Sequence, residues 1–302
     1  MEIRFDEQVA IVTGAGRGLG RSHAIAMASK GAKVVVNDFS GSNEISENAK
    51  SVVKEIISAG GEAIAHGANV ANFDQVQSMV NETIDKWGRV DILVNNAGIL
   101  RDKTFLKMSV EDMREVIDVH LMGSLNCSKA VWEIMREQSY GRIVLTSSSS
   151  GLYGNFGQTN YGAAKMAMVG IMNTLHLEGM KYNIKVNCLA PTAGTAMTDG
   201  LFPEPVFKLM PPESVSPGVV FLCSEDAPSR KVLAAGGGSF AIFKGFETEG
   251  VNLLPDELSA ESVAKYWDKI DSENNMQEPQ SGSAQSQKFA MQAAKKLGLD
   301  LS

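Results

Sequence analysis

What most limits the fold of this chain is an alternation, running from the N-terminus to residue 190, of short β-branched runs with longer stretches of helical character. VAIVTG (9–14), KVVVND (33–38), EAIAHG (62–67), VDILVNN (90–96), RIVLTSS (142–148) and IKVNCLAP (184–191) read as strands. Between them 18–30, 43–59, 72–87, 109–137 and 160–182 read as helices. Strands this uniformly apolar must be covered on both faces, and helical crossovers between them make neighbours parallel. Right-handed crossovers then predict an α/β fold, a doubly wound parallel sheet of Rossmann type.

After residue 195 the pattern changes. PPESVSPGVVFLCSE (211–225) predicts another helix, and GGGSFAIFKG (236–245) a glycine-led strand at the sheet edge. LSAESVAKYWDKI (258–270) reads as a helix capped by Ser259 with Glu261 in its first turn. The polar stretch 272–287 reads as a mobile linker, and 288–302 as a final helix. The expected organisation is one domain over 1–245 and a partly helical C-terminal extension over 246–302.

The chain has 302 residues and a formal net charge of −7, which argues against a polyphosphate partner, so no nucleic acid is expected. No run approaches the ~18 apolar residues of a membrane span, and no basic stretch followed by an apolar one opens the chain. Cys127, Cys188 and Cys223 lie far apart without metal-ligand spacing, so reduced thiols, no metal and a cytoplasmic setting are the expectation.

TGAGRGLG joins the first strand to the first helix. Its glycines, Gly14, Gly16, Gly18 and Gly20, let a diphosphate approach main-chain amides at a helix N-terminus. The spacing is GxxxGxG and not GxGxxG, since Leu19 stands three places after Gly16. Asp38 closes the second strand, where a carboxylate binds a ribose 2′-hydroxyl and repels a 2′-phosphate. It favours NAD, while Arg17 in the loop would favour NADP.

Further along, Tyr161 and Lys165 stand four places apart, on one face of a helix. An ammonium beside a phenol favours the phenolate, and a phenol near pKa ~10 needs such help to exchange protons at neutral pH. Tyr153, with Gly157 four places on, has no such partner and reads as a pocket wall.

TGAGRGLG, the NNAG at 95–98, Ser148 and Tyr161-x-x-x-Lys165, in this order across 8–225, together resemble the short-chain dehydrogenase/reductase family. The resemblance implies that Ser148, 13 residues before Tyr161, orients the substrate oxygen. Tyr161 takes the hydroxyl proton, and Lys165 lowers the tyrosine pKa and holds the nicotinamide ribose. Asn69, Val70, Asn96, Ala97, Gly98, Pro191, Thr192 and Thr195 join the glycine loop, Asp38, Tyr161 and Lys165 as implied cofactor contacts. Two positions depart from the family pattern. His120 stands where an asparagine is usual, either as a proton relay or as a packed helix residue, and Asn69 where many relatives have an aspartate.

GLYGNFGQTNYGAAK, APTAGTAMT (190–198) and the tail from RKVLAAGGG to YWDKI resemble the (3R)-hydroxyacyl-CoA dehydrogenase branch of the family, found in peroxisomal multifunctional enzymes of type 2. That branch also acts on 17β-hydroxysteroids. The resemblance implies NAD-dependent oxidation of an acyl-CoA or steroid alcohol, and a homodimer or homotetramer. In it the extension crosses to a partner subunit, with Tyr266 and Trp267 either anchoring that interface or packing on their own subunit. Lys208, Arg230, Lys231 and Lys244 are candidates for the CoA phosphates, and 195–212, beginning at Thr195 and Met197, for an apolar lid. An NADPH-dependent carbonyl reductase and a nucleotide-sensing binding protein are the alternatives.

Overall fold

The computed structural model describes residues 2–42, 44–198, 200 and 203–299. It divides into two compact units, one reaching to Phe243 and one starting at Lys244.

In the first unit, eight strands form one sheet: β1 (Val9–Thr13), β2 (Lys33–Asn37), β3 (Glu62–His66), β4 (Ile92–Asn95), β5 (Gly141–Thr146), β6 (Ile184–Pro191), β7 (Val232–Gly236) and β8 (Ser239–Phe243). Their order is β3-β2-β1-β4-β5-β6-β7-β8, with every pairing parallel except β7–β8. The helices are α1 (Gly18–Ser29), α2 (Glu47–Ser58), α3 (Phe73–Trp87), α4 (Val110–Ile117), α5 (Gly123–Gln138), α6 (Ser149–Tyr153), α7 (Thr159–Gly179), α8 (Glu204–Lys208) and α9 (Ser216–Cys223).

Alternate residues of each strand point to opposite faces, and each face carries its own core. Ala10, Val12, Val34, Val36, Ile92 and Val94 pack with Met27, Ile56 and Leu222 of α1, α2 and α9. Ile11, Val35, Leu93, Ile143 and Val186 pack with Met79, Val131 and Met168 of α3, α5 and α7. The sheet is therefore covered on both sides, as the apolar strands require. At its N-terminal end Arg142 is fully buried and donates to the carbonyls of Gly141, Asn183 and Ser224, tying three loops together.

Several expected boundaries shift. The helix expected at 43–59 starts at Glu47, after Ser46 accepts the Ala49 N–H as its cap; Asn43 lies outside the described residues. The one at 109–137 is interrupted by a π-helical turn, Asp118–Met122. Ser148 does not end a strand but caps α6, two residues past the end of β5. The single strand expected at 236–245 is a hairpin. Gly237 and Gly238, at φ 56° and 78°, make its two-residue turn, the geometry that matches strand twist.

The second unit carries α10 (Ala260–Lys265), α11 (Trp267–Ile270) and α12 (Gly282–Leu297). Ser259 caps α10 as expected, but the helix breaks at Tyr266. The stretch expected as a linker is partly helical, because Ser281 caps α12 and draws 282–287 into it. Lys288 of α12 then bonds Glu247 at 2.8 Å, and Glu247 pairs with Gln277 through the backbone, which holds the polar stretch in place. Trp267 is 57% exposed within this unit. Among the described residues no helix is long and apolar enough to cross a membrane.

Candidate active site

In a parallel sheet the loops after the strand C-termini gather at one edge, and the strand order reverses between β1 and β4. The glycine loop follows β1, Asp38 follows β2, Asn96–Gly98 follow β4, Ser148 follows β5 and Thr192 follows β6. All the expected site segments therefore converge there.

Gly16 is where a glycine is required: a Cβ on it would stand 2.3 Å from Asp38 Oδ2. This contact sets the Asp38 carboxylate against the backbone of the loop. Ser46, unremarked in the sequence, donates to the same oxygen at 2.6 Å while capping α2, so one hydroxyl orients the carboxylate and starts the helix. Arg17 is exposed and forms no ion pair among the described residues, whereas Asp38 is half-buried. Leu19, in the first turn of α1, packs its partly buried side chain against the core. Thr195 lies against Gly18.

Asn96 braces the loop from the other side. Its Nδ2 donates to Thr13 O (2.9 Å) and Gly14 O (3.1 Å), and the N–H groups of Asn96 and Ala97 both donate to Thr13 Oγ1. Its amide nitrogen is thus committed to backbone, and Thr13 is a second positioning group whose only sequence signal was its place before Gly14. Asn69 Oδ1 accepts the Ala71 N–H, and Asn37 holds the loop from below through Ala68 O. Val70 is buried against Gly123, and its carbonyl accepts Asn126 Nδ2. At the far side Thr192 N bonds Ala235 O, and Thr198 closes a turn over 193–198 through Ala193 O and Thr195 N. Of the expected lid, residues 199, 201 and 202 lie outside the described residues.

Tyr161 and Lys165 share one face of α7, with Lys165 Nζ 5.6 Å from the Tyr161 ring centroid. Lys165 is buried and donates to Thr146 O at 2.6 Å. Ser148 lies close enough to the Tyr161 phenol to favour its ionised form. The His120 ring stands edge-on to Tyr161, centroids 5.2 Å apart. The four expected catalytic residues therefore meet at one point.

Their electrostatics differ from expectation. Burial takes Lys165 down to about 7, so near neutral pH it carries only part of a charge. Burial pushes the Tyr161 phenol up, and Asp102 adds to this while Ser148 opposes it. Lys165 does not offset that rise within the protein alone, because the desolvation that raises the phenol also discharges the amine.

His120 sits in the π turn, which re-aims the helix so that the ring points inward. Its Nε2 lies 2.8 Å from Ile99 O and 3.0 Å from Ile99 N, while Nδ1 is buried without a partner among the described residues. Burial, and then the Lys165 charge, take it down to about 3. It is therefore neutral at physiological pH, a packed ring set edge-on to Tyr161. A Cβ on Gly98 would stand 2.3 Å from His120 Cε1, so Gly98 makes room for the ring.

Not every expected residue joins the site. Arg230 and Lys231 precede β7 and pair with Val186 and Asn187 of β6, toward the strand starts and away from the C-terminal edge. The direction of a parallel strand, invisible until β7 is recognised, puts them there. Lys208 is held by Glu204 at 2.6 Å and Lys244 lies 3.8 Å from Glu278. Among the described residues no group of side chains could hold a metal ion.

A glycine cradle that a Cβ would fill, backed by a carboxylate and facing a Ser–Tyr–Lys constellation, defines an enzyme that moves hydride between an alcohol carbon and a nicotinamide dinucleotide. The family model described as short chain dehydrogenase matches residues 8–204, and the chain belongs to the short-chain dehydrogenase/reductase family. Within it, the chain is 46% identical over 269 residues to a short-chain type dehydrogenase/reductase of Mycobacterium tuberculosis, covering 87% of this chain and 94% of that one. The solved structure of full-length peroxisomal multifunctional enzyme type 2 from Drosophila melanogaster superposes with a TM-score of 0.82 at 36% identity. That match covers 98% of this chain, which spans about half (51%) of the fly enzyme. A 7α-hydroxysteroid dehydrogenase, solved with NADH and 7-oxo glycochenodeoxycholic acid, follows at a TM-score of 0.71 and 31% identity, covering 78% of this chain and 95% of that one.

Proposed function

We propose that this chain is an NAD-dependent dehydrogenase that oxidises a (3R)-hydroxyacyl-CoA to the 3-ketoacyl-CoA. The observation that carries the reading is the Tyr161 phenol, set beside Ser148 and sharing one helix face with Lys165. Ser148 holds the substrate oxygen, and Tyr161 as phenolate removes its proton. Lys165, poised near 7, supplies positive charge as the phenol gives up its proton. NAD, when bound, accepts the hydride from the alcohol carbon. Asp38 supports NAD over NADP, because a 2′-phosphate would face its carboxylate.

The acyl-CoA class is supported by the likeness to the multifunctional enzyme over nearly the whole chain. It is also supported by exposed apolar side chains on the loops beside α7. Phe156 is 87% exposed and Leu106 93%, and the two loops are joined by the Lys103 N–H donating to Gly157 O. An acyl chain is a fitting partner for such a rim. We propose the active species to be a homodimer whose C-terminal extension, with Trp267, contacts the partner subunit.

The test is a panel of (3R)- and (3S)-3-hydroxyacyl-CoA esters and hydroxysteroids with NAD and NADP, followed by absorbance of the reduced nicotinamide. Turnover of the 3R esters with NAD is expected. Efficient turnover of steroid alcohols alone would replace the substrate class, and a preference for NADP would overturn the role given to Asp38.

A further inference from the structure

Gln158 stands at the N-cap of α7, the position from which a side chain normally bonds the first N–H groups of its helix. It makes no such bond. Its buried side chain turns outward instead and donates to Asp102 Oδ2 at 2.6 Å, while its Oε1 accepts Asn155 Nδ2 at 3.1 Å. The capping role falls to Asn160, whose Oδ1 accepts the Tyr161 N–H at 2.8 Å.

The segment that carries Asp102 is itself fastened. Arg101 forms a bidentate pair with Glu115, both contacts 2.8 Å, and Lys103 pairs with Asp112 at 2.6 Å. Lys103 N donates to Gly157 O at 3.0 Å, so backbone as well as side chain joins this segment to the turn before α7. Three residues upstream, the Ile99 backbone holds His120 Nε2. One short loop after β4 thus locates both rings that meet in the site.

We propose that Asp102 is a positioning residue: by accepting the Gln158 amide it holds the turn that opens α7 and so places the Tyr161 hydroxyl for proton removal. This rests on the dehydrogenase reading above. Asp102 forms no ion pair among the described residues, since its neighbouring cations are taken by Glu115 and Asp112. Its negative charge consequently bears on the phenol and disfavours its ionisation. The other groups facing Tyr161 are Ser148, His120 and Lys165. Ser148 is uncharged, His120 is neutral above about 3 and Lys165 carries only part of a charge near neutral pH, so Asp102 is the full charge that bears on when Tyr161 gives up its proton.

The experiment compares Asp102→Asn, Asp102→Ala and Gln158→Leu with wild type, on whichever secondary alcohol the wild type oxidises. The readouts are kcat, KM, the pH profile of kcat/KM, the Kd for NAD and Tm. Asp102→Asn keeps an acceptor for Gln158 and removes the charge. Its kcat stays near wild type, and because phenolate is then less disfavoured the acid limb moves to lower pH by about half a unit or more. Asp102→Ala and Gln158→Leu lose the hold on the turn, and kcat falls on the order of ten- to a hundredfold with NAD affinity and Tm retained. Wild-type kcat and pH profile in all three variants would overturn the inference, as would loss of kcat only in step with Tm and NAD binding. A wild-type protein that oxidises no alcohol would instead bring down the functional reading itself.

Discussion

Tyr161 and Lys165 lie on one helix face, yet burial drives both toward their neutral forms, the phenol up and the amine down to about 7. A proton leaving the phenol creates a negative charge beside the amine and so stabilises the ammonium, which makes the two titrations one coupled event. Tyr161→Phe removes the proton acceptor but little volume. It is expected to bind NAD as wild type does, by titration, and to lose kcat by about a hundred- to ten-thousandfold. Turnover persisting in that variant would assign the proton chemistry to another group. Asp38 makes a second residue-scale case, because Gly16 and Ser46 hold its carboxylate in one place. Asp38→Ser should raise kcat/KM for NADP relative to NAD by about tenfold or more, since a fixed like charge costs several kcal/mol. An unchanged ratio in steady-state assays would leave cofactor choice to the loop and its Arg17.

At the scale of elements the π turn between α4 and α5 is the decisive irregularity. Without its extra residue, one continuous helix would carry His120 away from Tyr161. Gly98 supplies the matching space, so Gly98→Ala must displace either the loop or the ring. Overpacking of this kind costs about 1–3 kcal/mol, and the variant is expected to unfold at lower denaturant and to lose most of its kcat. Full activity in it would show that the ring's position does not matter to the chemistry. Much of this was legible beforehand. Six of the strands are β-branched runs and announce themselves, and the glycine loop, Asp38 and Tyr161-x-x-x-Lys165 carry their chemistry in their spacing. Other features were not. VLAAG (232–236) is alanine-rich and forms a strand only because Leu189 and Ile242 flank it in the sheet. A π turn has no residue pattern of its own, and contacts between distant loops, such as Asp102 with Gln158, have no local signal.

For the molecule as a whole, proton binding makes stability depend on pH in a direction that can be worked out. All four histidines are shifted down by burial, His23 and His120 to about 3, His66 and His176 less. Between pH ~6.5 and ~3 the unfolded chain therefore binds protons that the folded one refuses. Stability falls as pH falls through that window, by up to about 1.4 kcal/mol per pH unit for each fully buried histidine. Asp112, held low first by Lys103, adds to the loss below pH ~4 as it is protonated. Lys165 acts on the other side: the unfolded chain keeps its proton up to ~10.5, so stability rises with pH above about 7. The buried Cys127, Cys188 and Cys223 thiols, all pushed up by burial, together reverse this above pH ~9, where the unfolded thiols ionise first. A urea midpoint measured across pH should thus be highest near pH ~9 and drop steeply between pH ~6 and ~4. His23→Asn keeps a partner for Ser216 Oγ, 2.8 Å from Nδ1, and removes the titration, so its acid slope should be shallower than that of wild type. Equal slopes would mean that the His23 ring is protonated in the folded protein, and a midpoint flat from pH ~6.5 to ~5 that both buried rings are. The neutral His120 on which the site geometry depends would then have to be abandoned.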